Sequence, residues 1–410
     1  MSGPPASPAR LRANRPFAVL CCALLFGLHG CRLNEGSSEQ VVIPEVVRTN
    51  LFVAPGGSDA NPGTQTEPFR TIARAAQVVT PGTTVYVAPG QYMGGFQTRV
   101  SGNAEARIIF VSSERWGAKI VPPLDSGSTS GWDNRGSYVD IIGFDIDGFQ
   151  YQSGTKWLNG IYNSGSYNGI RHNHVHHVSL DIPCEPAGGA GIRVDSYYKG
   201  KQADVIGNNV HDIGPVDCPY HRGIHVGTQA RIGSNVVYRV SGAGIELWND
   251  AHHVEITGNT VSASGSGIVV GGGDFYQSQG PNDHSFVANN IVFDNRQGIL
   301  EQGATGANNR YLHNLVFQNG GTDWGLARGR QHVGTIAAEP AFVEYSRIGT
   351  PDFRLSARSP AIGRGVPVEA AEPDFEGKPR SHATGFDIGA FQHEALQDGG
   401  PDSQGLDAVR

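Results

Sequence analysis

A Gly-Ile dipeptide recurs at intervals of 21 to 32 residues through the middle of this 410-residue chain. The glycines of the series are Gly160, Gly191, Gly223, Gly244, Gly267 and Gly298, and one further pair at Gly169 falls outside it. A fixed period of this kind is typical of solenoids, in which each coil buries its apolar residues only against its neighbours. The shortest spacing fits one coil of a parallel β-helix, and the longer spacings predict inserted loops.

A second series, Asn-x-Val/Ile or a variant of it, interleaves with the first in a constant order along the chain. Its members are Asn173, Asn208, Ser234, Asn259, Asn289 and Asn314. Because asparagine tolerates the left-handed conformation and hydrogen-bonds along a stack, we interpret the series as a structural ladder at a turn. Glycine, at 57 of 410 residues, has about twice its usual frequency, which suits short strands. The Leu framework of leucine-rich repeats and the Trp-Asp signature of propellers are both missing.

Both ends of the repeat resemble known β-helix proteins. The segment Phe52-Val53-Ala54-Pro55-Gly56-Gly57 with Pro68-Phe69-Arg70-Thr71-Ile72 looks like the N-terminal cap of secreted pectate-lyase-like β-helix proteins. The resemblance implies a short capping helix at about Thr71–Val79. The stretch from Pro340 to Phe391 resembles the choice-of-anchor-Q-like terminal segment of bacterial β-helix proteins. We therefore expect an all-β, right-handed parallel β-helix over residues 50–393, with residues 320–393 as C-terminal cap and 394–410 as a disordered tail.

The first thirty residues predict an export signal. Arg10, Arg12 and Arg15 precede an apolar run from Phe17 to Leu28, which is too short to span a bilayer. The run ends in a sequence that resembles the lipobox of bacterial lipoproteins, which implies lipidation of Cys31, a membrane anchor at the outer membrane or cell surface, and a tether at residues 31–49. An ordinary secretory signal is the alternative.

Charge limits the partners. Residues 1–30 contain three Arg and no acidic residue, so their removal changes the formal net charge from −7 to −7 − 3 = −10. An acidic surface argues against nucleic acid. We expect a monomer whose partner is a polysaccharide.

A disulfide is predicted between Cys184 and Cys218. These residues lie 11 and 10 positions after Asn173 and Asn208, which places them at nearly equivalent points on adjacent coils. Coils stack at about 4.8 Å, within the Cα separation that a disulfide tolerates. Free buried thiols are the alternative.

Alternation along the strands predicts a column of outward side chains, because the residue after each inward Ile points away from the core. The column comprises Tyr162, Arg193, His225, Glu246, Val269 and Leu300, with Asp195 and Trp248 two positions further on. Loop residues nearby are Tyr197, Tyr198, Lys199, Lys201, His221 and Arg222. We expect one exposed patch that holds an extended acidic polysaccharide. The alternative is a solvated face on which opposite charges pair.

Uronate β-elimination needs a group that neutralises the carboxylate, a base and an acid. We predict Arg193 as the neutralising group, one of Lys199, Arg222 and His225 as base, and Tyr197 or Tyr198 as acid. Hydrolysis would instead use two carboxylates, for which Asp195 and Glu246 are the candidates and the loop residues Asp250 and Asp274 the alternatives. Substrate binding is assigned to Trp248, Asp195, His221 and Asp250.

Several functions stay open. The segment Gly244–Asn259 loosely resembles a coil of the chondroitinase-B and alginate lyase β-helices, but Trp248 stands where that family has its catalytic Arg, and Thr228 or Gln229 stands near its Lys. The signatures of polygalacturonases and mannuronan epimerases are absent. A polysaccharide lyase is the leading hypothesis. Non-catalytic glycan binding or surface adhesion, a glycoside hydrolase and an epimerase are the alternatives.

No motif requires a cofactor. Calcium would find oxygen donors at Asp195, Asp217 and Asp250. In the run from Arg171 to His177, alternation sends His172, His174 and His176 to one face. We interpret these histidines, with His177, as exposed imidazoles near a turn, and assign no metal to them.

Overall fold

The computed structural model describes residues 48–149, 153–368, 372–380 and 385–393. The predicted signal, Cys31, the tether up to residue 47 and the predicted tail lie outside the described residues. The described ranges contain 33 strands, one α-helix and one short 3-10 helix. Within them, no helix combines the length and the apolar character needed to cross a bilayer.

The strands are short and follow one another in regular order. The first group, with the helix, is β1 (Thr49–Val53), α1 (Ile72–Val78), β2 (Thr83–Val87), β3 (Gly90–Met93), β4 (Phe96–Thr98), β5 (Ile108–Ser112), β6 (Ala118–Val121), β7 (Asp125–Ser126), β8 (Ser130–Asn134), β9 (Val139–Ile142), β10 (Asp145–Asp147) and β11 (Ser153–Gly154). The second group is β12 (Asn159–Asn163), β13 (Asn168–Arg171), β14 (His174–Val178), β15 (Gly189–Val194), β16 (Gln202–Ile206), β17 (Asn209–Ile213), β18 (His221–Val226), β19 (Gln229–Gly233), β20 (Val236–Val240), β21 (Ala243–Leu247) and β22 (Glu255–Thr257). The third group is β23 (Thr260–Ser262), β24 (Ser266–Gly272), β25 (Phe286–Ala288), β26 (Ile291–Phe293), β27 (Gln297–Gly303), β28 (Arg310–Leu312), β29 (Leu315–Phe317), β30 (Trp324–Gly325), the 3-10 helix (Ala327–Gly329), β31 (His332–Val333), β32 (Phe342–Glu344) and β33 (Asp352–Leu355).

Three long parallel sheets form the walls of the solenoid. Sheet A has the order β1-β2-β5-β9-β13-β16-β19-β22-β25-β28-β31, sheet B the order β3-β6-β10-β14-β17-β20-β23-β26-β29, and sheet C the order β4-β8-β12-β15-β18-β21-β24-β27-β30. The chain visits sheets C, A and B in turn, so each strand pairs with its counterpart one coil later. This arrangement confirms the all-β, right-handed parallel β-helix.

The Gly-Ile repeat marks the corner at which the chain enters sheet C. The six isoleucines are in register and fully buried, namely Ile161, Ile192, Ile224, Ile245, Ile268 and Ile299. A Cβ on the first five glycines of the series would lie 2.2–2.6 Å from the Cγ1 of a valine on sheet B. Only glycine therefore allows sheets B and C to approach this closely at the corner.

A buried asparagine ladder follows the turn between sheets A and B. Its members are Asn173, Asn208, Asn235, Asn259, Asn290 and Asn314, and each of the first five donates from Nδ2 to Oδ1 of the next at 2.9–3.1 Å. The predicted ladder is confirmed, but two members were placed one residue early. Ser234 and Asn289 adopt positive φ angles of 53° and 58° just before the ladder residues. The left-handed conformation belongs to this preceding position, whereas the ladder side chain points inward.

The predicted capping helix and disulfide are both present. The hydroxyl of Thr71 accepts a hydrogen bond from the Arg74 amide at the start of α1, and Ile72 packs in the core. Cys184 and Cys218 form a disulfide, with Cα atoms 5.5 Å apart. The coil register deduced for these two loops is therefore correct.

The C-terminal segment differs from the predicted end cap. Residues 320–333 continue the solenoid through β30 and β31. The chain then returns along the outside, where Phe353 packs on Tyr238 of sheet B and Glu372 pairs with Arg231 of sheet A at 2.9 Å. The described part of residues 340–393 thus lies along the side of the solenoid, because outward aromatic residues such as Tyr238 and Phe293 offer an apolar surface there.

Candidate functional site on sheet C

Sheet C brings the predicted column together. Tyr162, Arg193, His225 and Glu246 pair directly from strand to strand, and Val269 and Leu300 continue the column as apolar residues. In the other direction the column extends to Asp133 and Gln97. The sequence pattern did not reveal these two residues because their coils lack the Gly-Ile mark.

The polar column is more deeply buried than predicted. His225 and Glu246 retain only 5% and 6% of their exposure. Arg222 lies over Glu246, with its Nε 2.6 Å from the carboxylate, and Asn249 lies over His225, with its Oδ1 3.2 Å from Nε2. The prediction of one exposed patch is therefore wrong for His225 and Glu246, whereas Arg193 and Trp248 are partly exposed.

Glu246 is the centre of a buried ionic cluster. Its Oε2 lies 2.9 Å from His225 Nδ1 as well as close to Arg222. Burial alone would raise the pKa of Glu246, but the hydrogen bond from His225 and the charge of Arg222 hold this pKa below its usual value. Burial lowers the pKa of His225 despite the neighbouring carboxylate. An ionised Glu246 is unsuited to the acid role that hydrolysis would require.

Arg193 and Asp195 position the loop that follows β15. Arg193 Nε donates to Asp195 Oδ2 at 2.9 Å, and the Tyr197 amide donates to Asp195 Oδ1 at 2.6 Å. Asp195 is buried, so it serves this loop rather than a substrate. Because the hydrogen bond to Asp195 uses Nε, the two terminal nitrogens of Arg193 are the groups that could meet a carboxylate.

Asp250 is a buried loop anchor. Its carboxylate accepts hydrogen bonds from the hydroxyls of Ser196 and Ser278 and from the amides of residues 276–278, at 2.5–3.2 Å. Burial opposes ionisation, but these donors hold the pKa of Asp250 below its usual value. Asp217, by contrast, pairs with Arg296 at 3.0 Å. The acidic residues considered for calcium are thus engaged by protein donors and do not converge.

Trp248 packs on backbone that carries no side chains. A Cβ on Gly271, Gly273 or Gly303 would lie 2.5–2.9 Å from the indole ring, and its Nε1 donates to Asp274 Oδ2 at 3.1 Å. The glycine run at 271–273 is therefore the platform of Trp248. The predicted sugar-stacking role remains a prediction for the side of the indole that faces away from these glycines.

Exposed tyrosines form a rim beside the column. Tyr197, Tyr198 and Tyr276 are 40–57% exposed, and Tyr197 contacts the other two with ring centroids 4.9 and 5.2 Å apart. Arg135 lies 3.8 Å from the ring centroid of Tyr198 and 4.7 Å from that of Tyr162. The sequence pattern missed Tyr276 and Arg135, because both reach the site from other loops.

Lys199 and His221 occupy opposite environments. Lys199 is exposed on the tyrosine loop, as is Lys201. His221, predicted at the rim, is fully buried, and neither ring nitrogen has a hydrogen-bond partner among the described residues. It borders a cavity of about 380 Å³ together with Leu158 and Pro183. The prediction that His221 binds substrate at the rim of the exposed patch is therefore wrong.

The burial of His221 should make folding stability depend on pH. Burial, and secondarily Arg222, lower the pKa of His221 to about 4, whereas an unfolded histidine titrates near 6.5. Between these values the unfolded state binds the proton and the folded state does not, so this residue lowers the free energy of unfolding as the pH falls from about 6.5 to 4. We expect His221→Phe to reduce that slope by up to about 1.4 kcal/mol per pH unit in urea unfolding. The same substitution at the exposed His284 is the control, and an unchanged slope in His221→Phe would refute the assignment.

Comparison with known proteins identifies the family. Residues 51–332 match the model of the Pel9A-like, right-handed β-helix region, so the chain belongs to the Pel9A-like β-helix family. The structure of pectate lyase Pel9A superposes with a TM-score of 0.55 at 17% identity, covering 85% of this chain and 97% of Pel9A. The structure of the complex of XylC with xylose superposes with a TM-score of 0.50 at 12% identity, covering 67% of this chain and 66% of the XylC chain. At such identities the likeness shows the fold alone.

One curated relative shares a shorter segment. The uncharacterized protein YwoF of Bacillus subtilis (strain 168) is 31% identical over 133 residues, which are 30% of this chain and 28% of the length of YwoF.

Proposed function

We propose that this protein binds an acidic polysaccharide along sheet C and cleaves it by β-elimination at a uronate. The observation that carries the proposal is the rim of three exposed tyrosines beside Arg193 and Lys199. Tyrosine rings offer large amphipathic surfaces, and guanidinium groups match carboxylates in geometry. Membership of a family named after pectate lyase Pel9A supports the same substrate class.

Lys199 is the best candidate for the base. Arg222 is held by Glu246, and both ring nitrogens of His225 lie against protein groups. The side chain of Lys199 is exposed and forms no ion pair within the described residues. Of the three candidate bases, it alone can reach a substrate without breaking an interaction of the folded protein.

The proposed reaction uses three groups of one loop and its strand. Arg193 neutralises the uronate carboxylate, which acidifies the C5 proton, and the neutral amine of Lys199 removes that proton. The electron pair of the C5–H bond forms the C4–C5 double bond as the C4–O bond breaks. The Tyr197 hydroxyl donates a proton to the leaving oxygen. The products are an unsaturated uronate and a new hydroxyl end.

Replacing Lys199 by alanine should abolish turnover and spare binding. General base catalysis contributes about 100-fold or more, so we expect at least that loss in the rate at which unsaturated product appears by ultraviolet absorbance. The substrates are polygalacturonate, alginate and chondroitin sulfate. Lys201→Ala, in the same exposed loop, is the matched control. Parental rates in Lys199→Ala would remove Lys199 from the mechanism.

Glycan binding without turnover is the second candidate, favoured by the internal pairing of the sheet C charges. Asp195 holds Arg193, Glu246 holds Arg222, and Asp133 holds Arg135 at 2.5 Å. This function predicts retardation of the protein in gels that contain one of the same polysaccharides, with no unsaturated product from any of them. Loss of that retardation in a Tyr197→Ala, Tyr276→Ala double variant would place binding at the rim.

We further propose that the chain is exported and anchored through a lipid on Cys31. The disulfide supports export, because disulfides persist in oxidising compartments. Lipidation would appear as a lipid mass on an N-terminal peptide that begins at Cys31. An unmodified peptide would restrict the proposal to secretion.

A further inference from the structure

Sheet B carries a second polar cluster on its outward face. Asp145 of β10 is paired with His174 of β14, and His176 lies two residues further along β14. The Asp145 Oδ1 atom lies 3.0 Å from His174 Nδ1 and 2.8 Å from His176 Nε2. Three potential ligand atoms therefore converge from two adjacent strands.

A second layer of polar groups backs both imidazoles. His174 Nε2 lies 2.7 Å from His211 Nε2, and His211 Nδ1 lies 2.6 Å from Asp212 Oδ2. On the other side, His176 Nδ1 lies 2.6 Å from His177 Nδ1. Each imidazole that faces Asp145 thus has its remote nitrogen fixed by another side chain, as is usual for histidines that bind metals.

The hydrogen bonds of this cluster are one proton short. The carboxylates of Asp145 and Asp212 face ring nitrogens at 2.6–3.0 Å, and an ionised carboxylate can only accept hydrogen bonds. The chain Asp145–His174–His211–Asp212 has three contacts, and each needs one N–H. Two neutral imidazoles supply only two.

A cation at Asp145 removes the deficit. If it replaces the proton between Asp145 and His174, then His174 Nε2–H donates to His211, and His211 Nδ1–H donates to Asp212. His176 likewise binds through Nε2 and donates from Nδ1 to His177. Every contact of the chain from Asp145 to Asp212 then has one proton with neutral rings. The two separations from Asp145 Oδ1 are 3.0 and 2.8 Å, somewhat shorter than the separation of about 3.3 Å that tetrahedral bonds of 2.0–2.1 Å require, and all three ligand atoms lie within 4.8 Å of one another.

We propose that Asp145, His174 and His176 bind a divalent transition-metal cation of the zinc or nickel type. Two imidazoles and one carboxylate suit such ions. His211 and Asp212 act as positioning residues, since they fix the tautomer of His174. The three ligand side chains are 8–20% exposed, so an ion can reach them from solvent.

A neighbouring trio, Asp147, His176 and His177, is the weaker alternative. Asp147 Oδ2 is 2.7 Å from Lys119 Nζ, whereas the same ammonium lies 3.8 Å from Asp145. Metal binding at Asp147 would have to compete with this ion pair. The two trios share His176 but differ in their other ligands, so substitutions distinguish them.

The test is metal binding by the purified full-length protein after treatment with a chelator. Isothermal titration with Zn²⁺ or Ni²⁺, and the visible spectrum with Co²⁺, should show one tightly bound ion per chain. His174→Ala and the isosteric Asp145→Asn should weaken binding more than about 100-fold, and Asp212→Asn by about 10- to 100-fold. His284→Ala, which removes an exposed imidazole in the loop before β25, should bind like the parent.

Other outcomes would overturn the proposal. Parental affinity in Asp145→Asn would do so even if His174→Ala failed to fold. So would loss of binding in Asp147→Asn with full binding in Asp145→Asn, which would place the ion in the neighbouring trio. An absence of binding by the parent would mean that a shared proton completes the cluster. None of these results affects the proposed function on sheet C.

Discussion

Replacing Asn235 by alanine should lower the free energy of unfolding by about 4 kcal/mol. Its Nδ2 donates to the Val205 carbonyl and to Asn259 Oδ1, at 2.8 and 2.9 Å. Its Oδ1 accepts from the Asn208 amide and from Asn208 Nδ2, at 2.9 and 3.0 Å. Truncation leaves the buried Asn208 amide without its partner, at a cost of about 1–3 kcal/mol, and removes one hydrogen bond each from Asn208 Nδ2, Asn259 Oδ1 and the Val205 carbonyl, each worth about 1 kcal/mol. Urea unfolding followed by circular dichroism measures the loss.

Asn308→Ala is the matched control for this prediction. Asn308 is exposed and bonds to Asp283 at the surface, so its truncation should change stability by less than about 1 kcal/mol. A loss below about 1 kcal/mol in Asn235→Ala as well would mean that water or a shifted backbone satisfies the ladder, which would then not be a main stabilising element of the solenoid.

The repeating part of the fold could be predicted because every coil meets the same physical requirement. Sheet C approaches sheet B too closely for a Cβ at the first five glycines of the Gly-Ile series. All six ladder residues fit the single pattern Asn-x-Val, including Asn235-Val236-Val237 and Asn290-Ile291-Val292. The one-residue error arose because Asn289-Asn290-Ile291 also fits the looser pattern Asn-x-Val/Ile, and because Ser234-Asn235-Val236 was accepted as a variant of that pattern. Only the inward direction of the valine decides between the two positions in each case.

The non-repeating parts could not be predicted from periodicity. Alternation states which face of a sheet a side chain occupies, but not what covers it. His225 and Glu246 are buried because Asn249 and Arg222 lie over them. The return of the C-terminal segment along sheet B depends on contacts such as Phe353 with Tyr238, more than one hundred positions apart.

The histidine cluster on sheet B also could be predicted only in part from alternation along the strand. Alternation correctly placed His174 and His176 on one face, whereas His172 lies at the preceding turn with a positive φ of 55°. The groups that make the cluster suited to a metal, Asp145 and His211, come from the coils before and after. A proton count requires all of these partners, which no single segment reveals.

Reduction of the Cys184–Cys218 disulfide should lower the free energy of unfolding by about 3–4 kcal/mol. The bond spans 34 positions and includes β15, β16 and β17. In the chain-entropy model, closing a loop of this length restricts the unfolded state by about that amount. The folded state should persist after reduction, because the three strands remain paired with both neighbouring coils.

Urea unfolding with and without a reductant that does not bind metals measures this effect. The Cys184→Ala, Cys218→Ala double variant should resemble the reduced parent and be insensitive to the reductant. Hydrogen exchange should locate the loosening in the loops at residues 181–188 and 214–220, which meet beside His221 and its cavity. The disulfide is stabilising in this way only if the oxidised parent has a higher free energy of unfolding than both the reduced parent and the double variant. Equal urea midpoints for the oxidised parent, the reduced parent and the double variant would show that strand pairing alone holds these coils together.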